Sequence, residues 1–96
     1  MIINKIVRLD LSDKLLTSIP KDLSYLFSLQ RLIMVRNQIK RIKNLSYLSN
    51  LIELCIIDNR IKYIENIESL SSLEDLSLIN NKIKVIEGLE GLENLQ

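Results

Sequence analysis

The fold class that the sequence predicts is a repeat solenoid of four stacked units, and three observations carry the prediction. Aligned on asparagine, "LQRLIMVRNQIKRI", "LIELCIIDNRIKYI" and "LEDLSLINNKIKVI" start at Leu29, Leu51 and Leu73, a constant 22 residues apart, and "IVRLDLSDKLLTSI" from Ile6 repeats the pattern 23 residues earlier. A period of that length marks stacked units, none of which can bury its apolar face alone. The shared template, L-x-x-L-x-L-x-x-N-x-I-x-x-I continued by x-x-L-x-x-L, has seven apolar positions per unit, and all twenty-eight are Leu, Ile or Met. At 47% apolar content, chance gives that agreement on the order of one time in a billion, so the repeat is real. Finally, Leu45, Leu48, Leu51 and Leu54 recur every three residues. That step drifts around a 3.6-residue helix and holds no single face. Nor does a helix account for the periodic asparagine, so a long amphipathic helix is set aside.

The template resembles leucine-rich repeats, over nearly the whole chain. The 22-residue units and "NKIKVIEGLEGLENL" (Asn81 to Leu95) resemble the class typified by a regulatory subunit of protein phosphatase 1. The first unit, with its extra residue and "IPKDLSYLFSL", is more similar to the longer, common class. The resemblance implies an α/β leucine-rich-repeat solenoid: a short curved right-handed coil, a parallel β-sheet on its concave face and short helical or 3₁₀ turns on its convex face. It makes residues 1–96 a single domain, with units 6–28, 29–50, 51–72 and 73–94 and a further unit opening at 95–96.

In chain order, the L-x-L of each unit is then a strand, centred on Arg8–Asp10, Arg31–Ile33, Glu53–Cys55 and Asp75–Ser77. The convex turns fall at Leu23–Phe27, Leu45–Leu48, Ile67–Leu70 and Leu89–Leu92. Tyr25 and Tyr47 hold matching slots there and are expected to pack on the convex side. Asn37, Asn59 and Asn81 stand where the chain leaves each strand. An amide both donates and accepts, so each is expected to satisfy backbone groups inside the coil. Lys14 takes that slot in the first unit, where a long amphipathic chain is tolerable at an open end. The ends lack distinct polar caps. A longer parent chain, a covering partner or end-to-end association would each account for this. Residues 1–48 hold nine Lys/Arg and three Asp/Glu, and residues 49–96 hold four and nine. Strung along a solenoid, those halves are complementary head to tail, which makes a homo-oligomer through the ends the alternative function.

If the template leucines point inward, the residues between them point outward in four rows. The rows are Arg8, Arg31, Glu53, Asp75; Asp10, Ile33, Cys55, Ser77; Ser12, Val35, Ile57, Ile79; and Asp13, Arg36, Asp58, Asn80. Ile33, Val35, Cys55, Ile57 and Ile79 form an apolar centre rimmed by Arg31, Arg36, Glu53, Asp58, Asp75 and Asn80, the anatomy of a protein-binding patch. With Ser77 these are the expected partner-binding residues. A second surface feature is the basic band Lys40, Arg41, Arg60, Lys62, Lys82 and Lys84. It suits phosphate or an acidic partner, but only Tyr63 offers an aromatic for stacking, and the band reads as a solvated face. Nucleic acid is not an expected partner.

The remaining chemistry is mostly exclusion. The chain has no histidine, which removes His-based triads and most catalytic zinc sites. "EGLEGLENL" is neither a phosphate loop nor a dinucleotide fingerprint. Glu65/Glu87 and Glu68/Glu90 fall at repeat positions on a surface rather than in a cleft. No enzyme, cofactor or metal is expected. No apolar run is long enough to span a bilayer, and "MIINKIVRLD" lacks the pattern of a signal peptide. The single Cys55 cannot form an internal disulfide, so the expected location is intracellular, cytoplasmic or nuclear. "NLS" at Asn44 to Ser46 reads as a chance sequon. What remains is an interaction module, regulatory or scaffold, that binds a protein on the concave face. Members of the resembled class that bind the phosphatase use acidic and aromatic concave residues. The four outward rows here hold no aromatic, which counts against that particular partner and leaves the identity of the partner open.

Overall fold

The computed structural model describes residues 5–96. Residues 1–4, which the sequence places in the same domain, lie outside the described residues. Four strands, β1 (Arg8–Asp10), β2 (Arg31–Ile33), β3 (Glu53–Cys55) and β4 (Asp75–Ser77), form one sheet in the order β1-β2-β3-β4. Every pairing is parallel, with Leu9, Leu32, Leu54 and Leu76 in register. The strands fall on the segments that the template picks out. Each is three residues long, yet the ladder between coils runs further. Leu11 N–H donates to Ile33 O at 2.7 Å, Met34 N–H to Cys55 O at 2.8 Å and Ile56 N–H to Ser77 O at 2.9 Å. Further along, Arg36 N–H reaches Ile57 O and Asp58 N–H reaches Ile79 O. Parallel neighbours in sequence order leave about twenty residues for each return path, which fits the crossover that parallel pairing requires.

The return side explains the three-residue leucine step. Leu48 N–H donates to Leu45 O and Leu51 N–H to Leu48 O, each at 3.0 Å. The same pair of bonds joins Leu23, Leu26 and Leu29, then Ile67, Leu70 and Leu73, then Leu89, Leu92 and Leu95. These are i→i+3 turns, and at three residues per turn every third side chain eclipses the last. The step that drifts around an α-helix therefore holds one face here. Only the first coil closes into a continuous 3₁₀ helix, at Lys21–Tyr25, two residues earlier than the sequence predicts. Pro20 precedes it with φ −60°, a conformation the ring sets in advance. The same geometry corrects the expectation for the tyrosines. Tyr25 and Tyr47 sit between the inward positions, and Tyr47 is 74% exposed, so neither packs on the convex side as expected.

In the middle coils Leu32, Met34, Ile39, Ile42, Leu54, Ile56 and Ile61 are completely buried. Burial falls off at both ends. Ile6, Leu9, Leu11 and Leu16 are only partly covered, as are Leu76, Leu78, Ile83, Leu89 and Leu95. Ile86 holds an inward template position yet is 76% exposed, because no described coil follows to cover it. Among the described residues no helix is long and apolar enough to cross a membrane.

The asparagines are the link between coils. Asn59 Oδ1 accepts from Ile39 N–H at 3.0 Å, and its Nδ2 donates to Met34 O at 2.8 Å and Ile57 O at 3.0 Å. Asn81 accepts from Ile61 N–H and donates to Ile56 O. Asn37 accepts from the N–H groups of Lys14 and Leu16 and donates to Leu11 O. Each amide thus satisfies the coil before it. This bears on Lys14: the slot it fills is the one from which the later units serve the coil before their own, and no coil before the first unit is described. Just before each slot the chain turns off the strand through the left-handed region, at Asp13, Arg36, Asp58 and Asn80, with φ of 57°, 56°, 59° and 57°. Asp and Asn tolerate that region better than other side chains; Arg36 is the exception. A second line of amides ties the return paths, with Asn44 Nδ2 on Ile19 O and Asn66 Nδ2 on Ile42 O, both at 2.8 Å. Gly88 takes the corresponding place at φ 75°, where a Cβ would stand 2.6 Å from Ile64 O.

Asn59→Ala strips partners from buried backbone groups on two coils at once. It should lower unfolding stability by about 2–4 kcal/mol, read as a shift in the urea midpoint, and Asn81→Ala at the more open end should cost less.

Candidate protein-binding surface

Strand register decides which side chains meet on the outward face. Arg31 pairs with Glu53 and Glu53 with Asp75; Ile33 pairs with Cys55 and Cys55 with Ser77. The backbone bonds beyond the strands extend the alignment to Val35, Ile57 and Ile79, and to Arg36, Asp58 and Asn80. The residues expected from the sequence are therefore brought together on one face. Ile33, Val35, Cys55, Ile57 and Ser77 are half-buried, while Ile79 is 62% exposed. The apolar row becomes more open toward β4.

The rim is ordered by contacts between coils. Arg36 makes a two-pronged pair with Asp13, Nε to Oδ1 and Nη2 to Oδ2, both at 2.7 Å. Arg31 Nη1 reaches Glu53 Oε1 at 3.3 Å, and Asn80 Nδ2 donates to Asp58 Oδ1 at 2.8 Å. The Arg36 hydrogen bonds hold the Asp13 carboxyl below the usual carboxylate value, and Asp13 in turn raises the Arg36 guanidinium. Such exposed pairs are screened by water. Their main effect here is to fix the direction of a side chain whose backbone is already in an unfavourable region. Among the described residues Asp75 makes no ion pair. The β4 end of the row that Arg31 and Glu53 share thus carries unneutralised negative charge.

Three residues absent from the expected binding set belong to the same face. Asp10, Ser12 and Asp13 border a shallow depression with Ile33, Val35 and Arg36. Ser12 Oγ accepts from Val35 N–H at 2.9 Å, and Asp10 Oδ1 accepts from Ser12 N–H at 3.0 Å. Ser12, through its hydroxyl first and its backbone N–H second, holds the Asp10 carboxyl below its ordinary value. Their rows were legible in the repeat, but the polar character of the first coil masked their part in the surface. Burial raises the Cys55 thiol, which damps its reactivity. No group of three or more His, Cys, Asp or Glu converges as a metal site among the described residues. The arrangement offers apolar contact and charge pairing.

No family model matches the chain, and neither does any curated protein. Among solved structures, the chain is similar to the crystal structure, at 1.90 Å resolution, of an internalin C2 (inlC2) from Listeria monocytogenes str. 4b F2365. The match has a TM-score of 0.74 and 33% sequence identity over 81% of this chain. It takes in 34% of that protein, so the chain spans about a third of its length. The period, the four-stranded parallel sheet and this likeness make the fold a leucine-rich-repeat-type solenoid.

Asp13 should titrate below 3.8, its ordinary value, in an NMR pH titration, and Arg36→Gln should move its midpoint back up. Because the folded-state pKa is depressed, its contribution to stability is present above the unfolded-state value. It is lost as pH falls through the folded one.

Proposed function

We propose that the chain is a non-catalytic protein-interaction module, regulatory or scaffold in role, that binds a protein partner on the outward face of its sheet. One observation carries the reading: Ile33, Val35, Cys55, Ile57 and Ile79 lie side by side on a rigid ladder, with Ile79 largely exposed and charged residues around them. An apolar centre inside a polar rim is how protein-recognition surfaces are built. A sheet hydrogen-bonded throughout gives such a patch little to reorganise on binding. On this reading the sheet is the concave side of a right-handed coil, and the turns lie on the convex side. The 22-residue units align it with the class typified by the phosphatase 1 regulatory subunit. The free Cys55 suits a reducing, intracellular setting.

The alternative, assembly through the solenoid ends, draws support from the partly exposed leucines of the first and last coils. The asparagine pattern weighs against its simplest form. Asn59 and Asn81 supply the acceptor for Ile39 N–H and Ile61 N–H. A second copy stacked head to tail in the same register would bring Lys14 toward Ile83, and an ammonium offers no acceptor. Complementary charge at the two ends does not remove that mismatch.

Ile79→Asp and Ile57→Asp should each abolish capture of a protein partner by the immobilised chain while the circular dichroism spectrum and urea midpoint stay near those of the parent. Undiminished capture by both would sink the reading. A concentration-dependent, salt-sensitive oligomer in sedimentation would favour assembly instead.

A further inference from the structure

All three ion pairs among the described residues join neighbouring coils: Arg36 with Asp13, Arg31 with Glu53 and Arg41 with Glu65. At those positions opposite charges stack. Beside them runs a band that does the reverse. Lys40, Lys62 and Lys84 hold one position in three successive coils, and Arg60 and Lys82 hold the position two residues before it. None of these five makes an ion pair among the described residues. The coils are fixed closely here, because Arg60 N–H donates to Ile39 O at 2.9 Å and Lys82 N–H to Ile61 O at 2.8 Å. The backbone positions that carry these like charges therefore stand about 4.8 Å apart from coil to coil, the spacing of a hydrogen-bonded ladder, and like charges on directly neighbouring positions repel. The acidic rows Glu65/Glu87 and Glu68/Glu90 are only two deep, and Glu65 is neutralised by Arg41.

Within each coil the cations alternate with inward residues. Ile61, between Arg60 and Lys62, is fully buried, and Ile83, between Lys82 and Lys84, packs against the core. Arg60 and Lys62 thus both point outward, roughly 7 Å apart along the extended chain, and so do Lys82 and Lys84. The surface between them is hollow. One depression is bordered by Lys40, Arg60, Lys62, Tyr63 and Lys82 together with the Arg41–Glu65 pair, and a second, sharing Lys62, Tyr63 and Lys82, continues to Lys84, Val85 and Glu87, so that cations outnumber carboxylates along both. Tyr63 is 64% exposed there.

The geometry points to an anion-binding trough on this edge of the solenoid, separate from the sheet face, whose ligand is an extended acidic segment of a protein. Alternate side chains of an extended chain lie on one side at roughly 7 Å. Carboxylates at every second residue therefore match the Arg60–Lys62 and Lys82–Lys84 pairs. Single-stranded nucleic acid supplies charge at a similar scale, but it is held by successive aromatic platforms. Tyr63 is the one aromatic bordering the trough.

The test is fluorescence anisotropy with a short labelled peptide of alternating glutamate and serine, titrated with the full chain at low and moderate salt. Binding should weaken with salt and fall roughly tenfold or more in Lys62→Glu/Lys82→Glu. Lys62→Gln/Lys82→Gln should show a smaller loss, and it keeps the test intact should the doubly acidic variant not fold. Arg8→Glu/Lys21→Glu, an equal charge change away from the trough, should leave binding unchanged, as should Ile79→Asp on the sheet face. The proposal is overturned by absence of binding at low salt, by equal loss in the Arg8/Lys21 control, or by full retention in both Lys62/Lys82 variants. Tighter binding of a single-stranded oligonucleotide, lost in the same variants, would overturn the acidic-protein assignment in favour of nucleic acid.

Discussion

The buried asparagine amide couples the coils of this solenoid. Apolar burial drives neighbouring units together, but leucine packing alone does not specify the offset between them. At each turn off the sheet the backbone leaves a donor and acceptors inside the coil, away from water. An unpaired group there is costly. Asn59 closes that gap with one acceptor and one amino group, touching Ile39, Met34 and Ile57 together. A slip by one residue would break the two bonds that cross to the neighbouring coil, those with Ile39 N–H and Met34 O, and turn every sheet residue over. The parallel register, and with it the alignment of Ile33, Cys55 and Ser77, is the consequence.

Because the coils are locked at ladder distance, the surface becomes a grid. Whatever the sequence places at one position of the repeat stands directly beside its counterparts. On the sheet this turns β-branched residues that are far apart in the chain into a continuous apolar row. Along the next edge it turns lysines 22 residues apart into a cationic trough. Elsewhere it sets Arg36 against Asp13 and Arg41 against Glu65. The same device yields both stabilising pairs and uncompensated charge, and it is the uncompensated positions that have surface left over for a partner.

Much of the fold was legible from the chain. The strands and their order follow from the template through its resemblance to leucine-rich repeats, in which L-x-L is a short parallel strand. The outward rows follow too, because strand alternation needs only the positions of the inward leucines. What was misjudged lies where a side chain depends on three-dimensional neighbours. Tyr25 and Tyr47 repeat faithfully, yet they are exposed, because an i→i+3 turn turns them away from the core. Ile86 obeys the template, but no described coil lies above it and it is exposed. Lys14 reads as a tolerated defect until Asn37 is seen to serve the coil before its own.

The unbroken apolar run Leu32 to Val35 shows how the two levels divide. The sequence by itself determined that Leu32 and Met34 face one way and Ile33 and Val35 the other, since a strand has a period of two and the repeat marks the inward set. Only the tertiary structure decided how open each outward residue is, with Val35 half-buried and Ile79 exposed. It also decided that the lysine band is a hollow rather than a flat solvated face. Direction is a local property of the backbone. Depth and unpaired charge depend on which coils lie alongside, and that is fixed only when the amides bring the coils into register.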